Sequence, residues 1–137
     1  MKQIYSLEED LKEDPSHVEL AQKLTLDKSR PMMGLKGMYG LFGSKEWWNN
    51  IYSRVIPRKE YEGVIEDIHF SGMHNESKSF RVALFEGGTY TYSCVSNKKN
   101  DLSLYKVGTC IKVDTYIETM KDGRELDFVL SIEIENA

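Results

Sequence analysis

Histidine, cysteine and carboxylate side chains are the groups of this chain that could carry chemistry, and their spacing predicts none. His17, His69 and His74 never pair at the short separations that metal ligands on one element require. No G-x-S-x-G sequence is present to hold a nucleophilic serine. We therefore predict a protein that is not an enzyme, with no metal site and no cofactor. His69, expected at a strand end, keeps open the alternative of a small-ligand or catalytic site at a barrel mouth.

The two cysteines indicate a reducing compartment. Cys94 and Cys110 form no C-x-x-C pair, and no histidine cluster accompanies them. They are expected to be free, buried thiols, with a disulfide between neighbouring strands as the alternative. The first ten residues turn acidic where a signal peptide requires an apolar core, and no segment is apolar over a bilayer's width. These features predict a cytoplasmic protein without a membrane partner.

The charge balance favours a protein partner over nucleic acid. The chain carries 22 acidic and 18 basic residues, for a formal net charge of −4. Proteins that bind nucleic acid through phosphate contacts usually present a basic face. The acidic balance disfavours such a partner without excluding a local basic face, and it favours a cationic protein.

The first thirty residues are predicted to be helical. Capping-box spacings begin helices at Ser6 and Ser16. The first helix is expected to be short and to carry Leu7 and Leu11 on one side. The second spans about residues 17–28. Its narrow apolar stripe consists of Leu20, Ala21 and Leu24.

Glycine then recurs at every third position from Gly34 to Gly43. A phosphate-binding loop would require a preceding strand and a different glycine pattern. A membrane-inserting segment would require a basic amphipathic partner. The string Gly40-Leu41-Phe42-Gly43 also occurs in nuclear-pore repeats, but here it is a single copy. The favoured interpretation is an apolar connector whose glycines let the backbone pack closely against the barrel.

Two adjacent tryptophans lie in a third predicted helix, capped by Ser44 and extending over residues 45–55. One helical face is formed by Trp48, Ile51, Tyr52 and Val55. This face favours Trp48 as the core residue, and Trp47, which lies beside it, stays the alternative. Adjacent tryptophans cannot point the same way on a helix. We expect one in the core and the other at an edge, where it could anchor a partner.

The remaining chain is predicted to form five strands, over residues 61–70, 79–85, 89–95, 109–120 and 125–135. A polar turn over residues 71–77, a Gly-Gly hairpin turn and a D-G hairpin turn separate neighbouring strands. Gly63 is expected to mark a bulge. A short helical turn before the fourth strand supplies Leu102 and Tyr105 as core contacts.

The order of these elements resembles the OB-fold, a partly open five-stranded barrel. The resemblance covers about residues 60–135. It is supported by Glu62-Gly63-Val64-Ile65, by Tyr105-Lys106-Val107-Gly108 and by the closing Val129-Leu130-Ser131-Ile132. The expected fold is α+β, a five-stranded OB-like antiparallel β-barrel preceded by an N-terminal helical segment. The expected domains are a helical extension with a glycine-rich connector, 1–58, and the barrel, 59–137.

The resemblance implies a ligand face on the second and third strands, where single-strand binders place aromatic rings among cations. Phe80, Phe85, Tyr90 and Tyr92 supply rings, but Arg81 is the one cation between residues 80 and 92. Phe80, Tyr90 and Tyr92 also suit a barrel core, whereas Phe85 has the parity for exposure. Candidate binding residues are Trp47, Trp48, Arg81, Phe85, Tyr90 and Tyr92.

The sequence favours a non-catalytic cytoplasmic module that binds another protein. One class with these properties is the immunity proteins, which neutralise toxins by covering them. An acidic chain would capture a basic nuclease quickly. The alternatives are an OB-type single-stranded nucleic-acid binder, and a small-ligand binder or enzyme that uses the barrel mouth. The oligomeric state stays open.

Overall fold

The computed structural model describes residues 1–71 and 77–136, except for the side chain of Ser71. The helices are α1 (Leu7–Glu13), α2 (Pro15–Leu26), α3 (Lys45–Tyr52) and a 3-10 helix, Lys99–Leu104. The strands are β1 (Lys2–Ser6), β2 (Arg58–Ser71), β3 (Ser77–Leu84), β4 (Thr89–Ser93), β5 (Cys110–Thr119) and β6 (Glu125–Ile134). The predicted α+β class is confirmed. Most of the polar turn predicted before β3, including His74, lies outside the described residues.

The six strands form one antiparallel sheet in the order β1-β6-β5-β2-β3-β4. The five predicted strands correspond to β2 to β6, and β1 is an addition that the sequence analysis missed. The predicted five-stranded OB-like barrel is wrong, because the sheet has six strands and is not closed into a barrel: β1 and β4 stand at its two ends without pairing.

The connection after β4 takes the place of barrel closure. The backbone N–H of Asn97 donates to the Ile4 carbonyl at 2.9 Å. The Asn97 side chain accepts from the Ser6 N–H at 2.7 Å and donates to the Ser6 carbonyl at 3.1 Å. One residue therefore satisfies edge groups of β1 that would otherwise require a neighbouring strand.

The chain folds as two compact units that do not follow its order. The sheet unit comprises Met1–Leu7, Glu60–Asp114 and Leu130–Ala137. The helical unit comprises Glu8–Lys59 and Thr115–Val129. The chain passes from one unit to the other next to the predicted boundary at residues 58 and 59, but the β5–β6 hairpin contributes to both units.

The sheet unit has an aliphatic core with two stacked rings. The rings of Phe80 and Tyr105 lie 5.2 Å apart, and both residues are buried, as predicted. The Tyr105 hydroxyl donates a 2.7 Å hydrogen bond to the carbonyl of Val95. The other fully buried side chains of this unit are Ile4, Ile65, Val82, Ile111, Val113, Ile132 and Ile134.

Gly63 is required for space. A Cβ atom at this position would lie 2.1 Å from the Ala83 carbonyl oxygen on β3. The pairing of β2 with β3 is regular at Gly63, and its irregularity lies between Ile65 and Asp67. The predicted bulge therefore exists two residues further along, and the glycine serves the close approach of the two strands.

Burial along β5 changes its alternation where the strand passes between units. In the sheet unit the odd-numbered Ile111 and Val113 are buried. In the helical unit Thr115 is followed by Tyr116 and Glu118, so the even-numbered positions become the buried ones. The strand therefore does not keep one buried face along its length, because each half of the strand serves its own core.

The four glycines of the connector all adopt a left-handed backbone, with φ between +77° and +97°. A Cβ atom on Gly34 would lie 2.7 Å from the Leu24 side chain, and one on Gly43 would lie 3.1 Å from Val18. The connector thus packs against α2, as glycine permits. It also pairs with the end of β5, where the Lys36 N–H donates to the Thr119 carbonyl at 3.0 Å and the Lys121 N–H donates to the Gly34 carbonyl at 2.9 Å.

The apolar stripe predicted for α2 is only partly right. Leu20 is 65% exposed, whereas Ala21 and Leu24 are half-buried. Lys121 fixes the end of this helix, because its ammonium donates to the carbonyls of Leu24 at 2.5 Å and Asp27 at 3.2 Å. A cation at this end also interacts favourably with the helix dipole.

The assignment of Trp48 to the core is wrong, because Trp47 is the fully buried tryptophan and Trp48 is half-buried. The helix ends at Tyr52, and Arg54 adopts a left-handed backbone with φ of 62°. Val55, the last residue of the predicted stripe, therefore lies beyond the helix and is 56% exposed. Without it, the buried face is defined by Trp47 and Ile51 at i and i+4.

Candidate partner-binding surface

Trp47 anchors α3 in the core of the helical unit. Ser44 caps the helix by accepting the Trp47 backbone N–H at 3.2 Å. The Trp47 ring packs edge-on against Phe42 at 4.9 Å and Tyr116 at 5.3 Å. Trp47 has no exposed surface and therefore cannot contact a partner. Its role is to hold α3 in place.

A buried carboxyl group receives the polar edge of this tryptophan. The Trp47 indole N–H donates to Glu118 Oε1 at 3.1 Å, and Glu118 is 2% exposed. Burial raises the pKa of Glu118 above its ordinary value, although the hydrogen bond from Trp47 opposes the shift. This pair orients the indole and therefore fixes the direction of α3.

The next residues of α3 carry the aromatic contacts outward to an exposed tyrosine. Trp48 meets Trp47 edge-on at 4.8 Å and stacks on Tyr52 at 5.8 Å with an interplanar angle of 23°. Tyr52 is 60% exposed, and its hydroxyl donates to Glu8 Oε2 at 2.9 Å. We call Glu8, Trp48 and Tyr52 the acid–aromatic surface.

Within the acid–aromatic surface, Glu8 begins a strongly acidic stretch of chain. Five carboxylates fall within Glu8–Asp14, against the single cation Lys12. Lys12 is 3.7 Å from Glu8, an exposed pair that offsets little of this charge. Desolvation is the main cause that raises the pKa of Tyr52, and the hydrogen bond and negative charge of Glu8 raise it further. The Tyr52 hydroxyl therefore stays protonated at neutral pH as a hydrogen-bond donor.

Such an arrangement is suited to binding and not to proton transfer. A tyrosine and a tryptophan present rigid contact area at little entropic cost, and neighbouring carboxylates attract cations. Tyr52 is held on two sides, by the Trp48 ring and the Glu8 carboxylate. Little ordering would remain to be done when a partner docks.

The other predicted binding residues lie in the sheet unit. Phe85 is 65% exposed, as its parity predicted. Arg81 lies with Nε 3.6 Å from Glu66 and Nη1 3.9 Å from Asp67. The positive charge predicted for this face is therefore opposed by two neighbouring carboxylates. These residues belong to the sheet unit, whereas Trp47 and Trp48 belong to the helical unit.

Tyr90 and Tyr92 form a ladder of rings on β4. Tyr90 stacks on Tyr61 at 4.2 Å and on Tyr92 at 6.4 Å. Tyr90 is half-buried and Tyr92 is 36% exposed, so neither belongs to the core in the way that Phe80 does. Their assignment to the core is wrong because β4 is the last strand of the sheet and has only one strand beside it.

The remaining groups that could carry chemistry are dispersed. His69 Nδ1 lies 3.0 Å from Asp67 Oδ2, both partly exposed. Cys94 and Cys110 are free, and burial raises the pKa of the Cys94 thiol to about 11, which keeps it protonated. Within residues 1–71 and 77–136, no cluster of three His, Cys, Asp or Glu side chains could hold a metal ion. None of the helices described has the length and apolarity to cross a membrane.

Sequence reasoning missed Glu8 and Tyr52 as site residues. The spacing within α3 places Tyr52 on one helical face with Trp48 and Ile51, and the acidic run at Glu8–Asp14 carries no binding prediction of its own. The run itself was a visible signal. Its pairing with an exposed aromatic residue 44 positions away was not, because it depends on how α1 and α3 meet.

The family model described as Immunity protein RhsI2 matches residues 1–133 of the chain. No curated protein is significantly similar to it.

Proposed function

Since the chain belongs to the RhsI2 family of immunity proteins and therefore covers a toxin without catalysis, we propose that it does so with the acid–aromatic surface. The observation that supports this proposal is the state of Tyr52. Its ring is 60% exposed yet fixed by Trp48 and by the hydrogen bond to Glu8. Exposed aromatic residues held in one conformation are typical anchors of protein interfaces.

The charge of the surface defines the chemistry of the partner. The carboxylates of Glu8–Asp14 favour a toxin that presents lysines and arginines around an apolar pocket for Tyr52. Toxins that act on nucleic acid carry such basic surfaces for their substrate. By covering that surface, the immunity protein would exclude the substrate. We propose the cytoplasm as the compartment in which the two proteins bind, as the sequence predicts.

The test compares toxin affinity across matched aromatic variants. Tyr52→Ala and Trp48→Ala are expected to weaken binding of the purified cognate toxin more than about tenfold, the scale of an interface hot spot. Phe85→Ala is the matched control, because Phe85 is equally exposed but lies in the sheet unit. Calorimetry gives the affinities, and circular dichroism checks that each variant folds.

The electrostatic part is tested separately through the association rate. Glu8→Gln removes one carboxylate but keeps an oxygen that can accept the Tyr52 hydroxyl. It is expected to slow association at low salt and to have less effect as salt screens the charges. If Phe85→Ala abolishes binding while Tyr52→Ala and Glu8→Gln leave it unchanged, the toxin binds the sheet unit at Phe85 and the proposal is wrong.

A further inference from the structure

The free edge of β4 presents backbone groups that no described strand satisfies. Cys94 N donates to Lys78 O at 2.9 Å, and Leu84 N donates to Gly88 O at 3.0 Å. Phe80 lies opposite Tyr92, and Val82 lies opposite Tyr90. Together with these two bonds, this register shows that Tyr90 and Tyr92 direct their backbone N–H and C=O groups toward β3. The intervening residues direct their N–H and C=O groups away from β3, to the outer edge of the sheet. They are Thr89, Thr91 and Ser93.

The two edges of this sheet are treated differently. At the other edge, β1 carries a lysine, Lys2, a register irregularity between Gln3 and Tyr5, and a cover of hydrogen bonds from Asn97. These are the devices by which proteins prevent edge pairing. The sequence of β4, Thr-Tyr-Thr-Tyr-Ser, contains no charge and no proline, and its pairing with β3 is regular.

The sequence of β4 is also nearly the same read in either direction about Thr91. In an antiparallel pair centred on Thr91, each Thr89 faces Ser93 of the other copy. Each Tyr90 then faces Tyr92. Aromatic pairs on one face and hydroxyl pairs on the other both stabilise a sheet. Glu86 precedes β4 and Lys98 follows it, and both are exposed. In the antiparallel pair, Glu86 of each copy would lie at the same end of the paired strands as Lys98 of the other copy.

We propose that two copies of this chain pair through their β4 strands, antiparallel and centred on Thr91, to form a symmetric dimer with one continuous twelve-stranded sheet. The edge that accepts the second copy lies in the sheet unit, and the acid–aromatic surface lies in the helical unit. The dimer therefore does not rest on the proposed toxin surface, and the two are tested by different residues.

Disulfide trapping tests both the partner and the register. Cys94 and Cys110 are first replaced by serine, so that one engineered thiol remains. In the proposed dimer the two Thr91 Cα atoms face each other at about 5.5 Å, within reach of a disulfide. Thr91→Cys is therefore expected to give a covalent dimer under mild oxidation. Thr89→Cys is the control, since its two copies would be offset by four residues, about 13 Å, and cannot bridge.

A second variant tests the same edge without cysteine. Thr91→Pro removes an outward N–H and leaves the bonds to β3 in place. Light scattering on a sizing column is expected to show a dimer for the unmodified chain and a monomer for Thr91→Pro, with Thr91→Val remaining dimeric. An unmodified chain that stays monomeric at high concentration would overturn the proposal. So would equal cross-linking of Thr91→Cys and Thr89→Cys, or a Thr91→Pro variant that remains dimeric but loses toxin binding.

Discussion

The aromatic groups of the two units contrast in what they are attached to. In the helical unit, ring contacts run from buried Trp47 through Trp48 to exposed Tyr52, and end at the carboxylate of Glu8. In the sheet unit, Tyr90 and Tyr92 of the uncharged edge strand β4 stack on each other, and Tyr90 also stacks on Tyr61 of β2. The first arrangement is suited to a basic partner of different structure. The second is suited to a copy of itself.

The contrast also separates stability from binding within a single helix. Trp47 and Trp48 are neighbours in sequence, but one is fully buried and the other half-buried. A residue that fills the core is costly to remove whatever the partner. A residue at the rim of the core can contribute to affinity while adding modestly to stability.

Removal of the Trp47 ring is expected to have the largest effect. Trp47→Ala empties the space between Phe42 and Tyr116 and leaves buried Glu118 without its donor. A loss of about 3–5 kcal/mol is expected in the free energy of unfolding, which urea titration followed by circular dichroism would measure. Trp48→Ala should lose about 1–2 kcal/mol, because its ring is only half-buried. Equal losses for both variants would show that the two rings are not divided between core and rim.

Which tryptophan of α3 is buried could not be predicted from the sequence. Ile51 belongs both to the predicted stripe with Trp48 and to the observed pair with Trp47. Periodicity over eight residues cannot choose between these faces. The choice depends on Tyr116 and Glu118 of β5, which lie about seventy positions later in the chain. The existence of a core tryptophan and an edge tryptophan was predictable, but their identities were not.

The same distinction between local and distant interactions explains the rest of the fold. Strands β2 to β6 followed from alternation and turn residues, which are local signals. Strand β1 did not, because its five residues are stabilised by pairing with β6 at the far end of the chain. Closure into a barrel was wrongly predicted because it depends on whether β1 meets β4, and Asn97 takes the position beside β1 instead.

The cover over β1 provides an intermediate effect and a test of the contrast between sheet edges. Asn97→Ala removes the side-chain bonds to the Ser6 N–H and carbonyl. Leaving such groups without a partner should cost about 1–3 kcal/mol of stability. Asn100→Ala, at an exposed position in the same connection, is the control and should be neutral. Thermal unfolding measures both. An Asn97→Ala variant as stable as Asn100→Ala would mean that β1 does not depend on this cover.

The smallest effect concerns Glu118 and depends on pH. Because burial raises its pKa in the folded protein above the ordinary value of 4.5, the folded state holds its proton to higher pH than the unfolded state does. The contribution of Glu118 to the free energy of unfolding is fully present below the ordinary pKa. This contribution is lost as pH rises through the higher pKa of the folded state. Glu118→Gln keeps an acceptor for the Trp47 indole but cannot ionise. It should match the natural chain in acid and exceed it at neutral pH, in urea midpoints measured across this range. If the difference in urea midpoint between Glu118→Gln and the natural chain stays constant with pH, the pKa of Glu118 in the folded protein is ordinary. Ionised Glu118 would then accept the Trp47 hydrogen bond without a loss of stability.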